Sequence, residues 1–121
     1  MIEILPESEP GALAVVITGA MTEDDRQTLD GELHLRADRD EDFDLILEMR
    51  DVEGLDAGTI HQEFELVNKF SDDIRRLAVV TDGGAWEGIA TVLGKPIGRA
   101  LGIEVEHFAD RTAAWRWFFN S

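Results

Sequence analysis

Short runs with period-two alternation or unbroken apolar character take turns with stretches whose apolar residues recur three and four apart. The chain therefore reads as strands interleaved with helices. Ile2 to Leu5 is a short alternating strand, closed by Pro6 and the turn-forming residues that end at Gly11. Ala12 to Ile17, rich in β-branched residues, is a second strand that stops at Thr18-Gly19, and the two pair as a hairpin. Thr22 then caps a helix in which Glu23, Asp24 and Asp25 complement the positive end of the dipole and Leu29 and Leu33 begin an apolar stripe. The charge run from Arg36 to Asp42 reads as the end of that helix and a loop.

The stretch from Phe43 to Phe70 organises the rest. Phe43, Leu45, Leu47 and Met49 alternate with Asp44, Ile46, Glu48 and Arg50, which predicts a strand with one well-buried face and one partly polar face. After a loop from Asp51 to Leu55, Asp56 caps a helix whose apolar positions include Ile60, Phe64 and Val67 and which ends at Ser71-Asp72-Asp73. Leu77 to Val80 is continuously apolar, as in a central parallel strand covered on both faces.

Thr81-Asp82-Gly83-Gly84 is a turn leading into a helix from Ala85 to Leu93, with Trp86, Ile89, Ala90 and Leu93 on one face. Gly94-Lys95-Pro96 interrupts it, and Ile97 and Leu101 extend its apolar character. Ile103 to Phe108 alternates with Glu104 and Glu106 as an edge strand does, and Asp110 caps a closing helix with Ala114, Trp117 and Phe118 inward. The predicted order is ββαβαβαβα, in one domain over residues 1–121 with no internal repeat.

Composition narrows the possible functions. Residues 1–65 hold 19 of the 26 carboxylates and 4 of the 11 basic residues, so the whole net charge of −15 falls on the first half. Such a surface repels phosphate backbones and anionic lipid, which argues against nucleic-acid binding and in favour of a protein partner with a basic surface. The absence of cysteine excludes disulfides, a cysteine nucleophile and thiolate metal sites. With no run of about 18 apolar residues and no basic, cleavable start, neither a membrane span nor an export signal is expected, and the default address is the cytoplasm.

Little catalytic chemistry is visible. Asp82-Gly83-Gly84 lacks the spacing of a nucleotide-binding loop, and Gly94-Lys95-Pro96 lacks the hydroxyl that would follow the lysine. His61 and Glu65 stand at i and i+4 without a third ligand, and the serines, Ser8, Ser71 and Ser121, are not placed for a triad. No cofactor and no metal is expected. The topology does gather Arg50, Asp51, Asp56, Asp82 and Trp86 outside the carboxyl ends of two parallel strands, the place where α/β folds put their working loops.

LILEMRDVEGLDAGTI, together with the order of elements, resembles the strand, loop and helix start of STAS domains. The second half, LAVVTDGGAWEGIATVLGKPIGRALGIEVEHFADRTAAWRWF, is similar to the SpoIIAA-like, or STAS/SEC14, group, so the resemblance covers essentially the whole chain. It implies an α/β fold with a five-stranded, mostly parallel mixed sheet and about four helices. It also implies a non-enzymatic interaction or regulatory module.

One motif departs from the family. Anti-sigma-factor antagonists carry a phosphorylatable serine in the turn that matches Asp56-Ala57-Gly58-Thr59, and no serine stands there. Thr59 is the hydroxyl that remains, and Asp51, Glu53 and Asp56 would oppose a phosphate on it. In the SEC14 resemblance a mobile helix gates a lipid pocket, a part that falls to Trp86, Val92, Ile97 and Leu101. Those side chains either pack on the sheet, cover a small hydrophobic ligand, or meet a second subunit in a homodimer.

Overall fold

The computed structural model of the chain describes residues 1–6, 11–19, 22–39, 42–50, 64–81 and 102–120. Its centre is a sheet of strands β1 (Ile2–Ile4), β2 (Ala12–Thr18), β3 (Phe43–Arg50), β4 (Ile74–Val80) and β5 (Glu104–Phe108), in spatial order β1-β2-β3-β4-β5. The hairpin pair β1 and β2 is antiparallel, with Ile2 opposite Ile17, and every other neighbouring pair is parallel. The described helices are α1 (Glu23–Ala37), α2 (residues 64–69) and α3 (Arg111–Phe119). The helix expected between β4 and β5 falls on residues outside the described set.

The period of two fixes which side chains share a face. Leu13, Val15 and Ile17 of β2, Phe43, Leu45 and Leu47 of β3, and Leu77 and Val79 of β4 bury one face against α1 and α2. The opposite face carries Ala14, Val16, Ile46, Ala78 and Val80, and receives Ala114 and Phe118 of α3. The α1 and α2 face is thus built around large side chains, while on the other Ala14 and Ala78 sit among larger residues, opposite Ala114 of α3.

Helix α1 buries only Leu29 and Leu33 along its length, worth together about 3–6 kcal/mol at roughly 1.5–3 kcal/mol each. Its end contacts therefore matter. The Thr22 hydroxyl accepts from the Asp25 N–H and the Asp25 carboxylate accepts from the Thr22 N–H, a reciprocal capping box that satisfies two of the orphan donors. At the other end the Arg36 guanidinium donates to the Ala12 carbonyl, tying the helix to the start of β2.

One boundary agrees with the pattern reading and one differs. Helix α1 ends at Ala37, within the charge run from Arg36 to Asp42 read as its end and a loop, and Arg36 bonds the β2 carbonyl. Strand β4 begins at Ile74, before the continuous apolar run, and so includes Arg75 and Arg76. Both pair with Asp44, which removes the penalty that two charges would otherwise carry in a strand.

Candidate functional site

Because β2, β3 and β4 run parallel, their carboxyl ends meet at one edge, at Thr18, Arg50 and Val80-Thr81. Gly19, at φ +68°, turns the chain away there while its N–H donates to the Arg50 carbonyl at 2.9 Å. The Thr81 N–H donates to the Phe108 carbonyl and the Thr81 carbonyl accepts from His107 Nε2 at 2.8 Å, so β4 and β5 stay clamped past the last ladder pair. Helix α3 starts beside them, capped by Asp110, whose carboxylate accepts from the Ala113 N–H at 2.8 Å.

These ends enclose a cleft lined by Glu48, Met49, Arg50, Val80, Thr81, Ala109, Asp110, Arg111, Thr112 and Trp115. Its floor is a buried charge. Glu48, with its side chain 8% exposed, accepts on Oε1 an ion-pair contact from Arg111 Nε at 3.0 Å and lies with Oε2 against Arg50 Nη2. That second contact is a Coulombic one, since among the described residues Oε2 has no aligned hydrogen-bond donor, and the buried Thr81 Oγ1 likewise has no hydrogen-bond partner among them. Arg50 itself is 54% exposed. A buried carboxylate therefore tethers a half-exposed guanidinium by charge.

This arrangement suits recognition. Guanidinium groups keep their charge at any physiological pH and present several donors in a fixed fork, so they bind and orient polar groups without exchanging protons. Among the described residues no group of three or more His, Asp or Glu side chains could hold a metal ion.

Of the residues that sequence reasoning assigned to this edge, Arg50 is placed on it, as the last residue of β3. Asp51 and Asp82 follow Arg50 and Thr81 directly in sequence, but they, with Asp56, Thr59, Trp86, Val92, Ile97 and Leu101, lie outside the described residues. Glu48, Thr81, Arg111 and Trp115 were not singled out. The available signal was Glu48, an acid set between Leu47 and Met49 in the strand; Arg111 reaches it only through the placement of α3.

A second polar cluster lies at the amino end of the same strands. Phe43 pairs with Ile74 and Asp44 with Arg76, so Arg75 is an extra residue, a β-bulge that turns two consecutive arginines toward one carboxylate. Arg75 donates to Asp44 at 3.1 and 2.7 Å, and Arg76 at 3.2 and 2.9 Å. Burial pushes the Asp44 carboxyl up, and the hydrogen bonds from Arg75 and Arg76 outweigh it, holding the group below the ordinary carboxylate range.

Arg76 also donates to the carbonyls of Trp117 and Phe118, the negative end of α3, with its guanidinium over both rings. This cluster is architectural. The polar face of β3 is therefore buried, and Asp44 and Glu48 secure opposite ends of α3.

A family model described as SpoIIAA-like matches residues 12–118. No curated protein and no solved structure matches the chain.

Proposed function

The chain belongs to the SpoIIAA-like family, and from that membership we propose that it is a regulatory or interaction module that binds a partner at the carboxyl edge of its sheet. The observation that supports this reading is Arg50, a half-exposed guanidinium tethered by charge to a buried carboxylate. A side chain tethered in this way loses less freedom on binding than a loose surface arginine. Asp56-Ala57-Gly58-Thr59 holds no serine, so a phosphoserine switch has no acceptor there and Thr59 is the hydroxyl that a phosphate could take.

The test compares proteins retained by the immobilised chain, by Arg50→Ala and by Glu65→Ala, an exposed helix position that does not line the cleft. A partner retained by the chain and by Glu65→Ala but lost with Arg50→Ala supports the edge. An identical set for all three overturns it.

Met49, Val80 and Trp115 give the same cleft apolar wall, which favours a second reading, a small hydrophobic molecule held at this edge. A native mass spectrum separates the two: a noncovalent adduct of lipid size, lost on activation, supports the carrier, and bare protein mass supports the module.

A further inference from the structure

We propose that β5 is a docking edge for an extended, basic segment of a partner protein, which pairs with it as an added strand. Among the described residues β5 bonds to β4 on one side only and stands last in the sheet. Such a strand offers a row of amide and carbonyl groups to a further strand. This surface is separate from the cleft, and the proposal does not depend on how the cleft is read.

The side chains of β5 select what can pair there. Opposite Arg76 and Ala78 in register, Glu104 and Glu106 project on the α3 side of the sheet, and both are exposed. Neither has an ion-pair partner among the described residues, because Arg76, the cation opposite Glu104, is committed to Asp44. Val105, between them, turns to the other face and packs half-buried against the core. The edge thus presents charge, apolar, charge.

A second copy of this chain fits it badly. Antiparallel pairing centred on Val105 sets Glu104 against Glu106 of the copy, and pairing centred on Glu106 sets the two Glu106 side chains against each other. Like charges directly opposite are destabilising. A strand with lysine or arginine at every second position and apolar residues between them matches both the charges and the apolar step, and the net charge of −15 draws it in from a distance.

The probe is a fluorescein-labelled peptide of alternating lysine and valine, titrated with the full chain at low salt and followed by anisotropy. The chain binds it, and replacing Glu104 and Glu106 together by lysine weakens binding about tenfold or more. Replacing exposed Glu65 and Asp72 by lysine makes the same change in net charge and leaves binding within about twofold. Methylating every second backbone nitrogen of the peptide abolishes binding.

Equal loss from the two pairs of substitutions would show attraction to the acidic surface at large and overturn the proposal. So would binding that survives methylation, no binding at all, or a chain whose own dimer dissociates when Glu106 becomes lysine. Glu104→Gln with Glu106→Gln, which keeps the edge neutral and unstrained, should show intermediate affinity; unchanged affinity would also overturn it.

Discussion

Asp44 and Arg76 form the joint between the sheet and its last helix: one guanidinium donates to both oxygens of a carboxylate on the neighbouring strand and to the carbonyls of Trp117 and Phe118. Both side chains are almost wholly buried. Arg76→Met takes two of the four donors from Asp44, which keeps those of Arg75, and strips the Trp117 and Phe118 carbonyls of theirs, so it should cost about 1–3 kcal/mol in urea denaturation. The double variant Asp44→Leu with Arg76→Met removes both charges and should recover a good part of that loss. Simple addition of the two single effects would show that the residues act independently.

Acid should loosen the same joint. The Asp44 carboxyl is held below its ordinary range, so its contribution to stability is fully present above the unfolded value, about 4, and is lost as pH falls through the folded value. Asp25, lowered chiefly by the Thr22 N–H, and Asp30, lowered chiefly by Lys69, shift the same way. Unfolding free energy should therefore fall as pH drops below about 4, and Asp44→Asn should flatten that fall. A slope unchanged by the substitution would assign the acid sensitivity elsewhere.

Thr22→Ala should cost about 1 kcal/mol, since it removes one half of the capping box of a helix with two buried anchors. Thr22→Asp keeps an acceptor and should lose much less. Far-ultraviolet circular dichroism through a thermal melt measures both.

At the cleft, Arg111→Met takes from Glu48 the partner on Oε1 and leaves the unaligned contact with Arg50. A loss of about 2 kcal/mol is expected. Adding Glu48→Gln removes the buried charge and should restore part of it. If the glutamine makes matters worse, Glu48 is held by something other than Arg111.

Ala114 is fully buried where α3 meets Ala78 and Ile46. Ala114→Leu has no room without moving the helix off the sheet, and should destabilise by about 1–3 kcal/mol in the same urea experiment.

The strands were legible because their alternation has one period and one consequence, and the caps Thr22 and Asp110 because few side chains serve those positions. Asp44 and Glu48 were harder. An acid on the second face of a strand has the same spacing whether it meets water or a buried arginine, and the arginine that decides the matter for Asp44 lies 32 residues away. Arg75-Arg76 reads locally as a polar break before an apolar run. Only its pairing across the bulge makes it the start of β4.

At the site, the parallel order was enough to put Arg50 on the working edge. Thr81 and Arg111 join it through the clamp to β5 and the docking of α3, which no local pattern encodes.

The extra residue at Arg75 also gives the sheet one place of slack. Delete it, and Ile74 still faces Phe43 while Arg76 still faces Asp44, so the ladder closes into regular pairing and everything downstream keeps its side. Delete any one residue between Arg76 and Val80 instead, and the side chains on one side of the cut change faces, sending core residues outward. In this strand a change of chain length is survivable at a single joint, the one where two charges already share an acid.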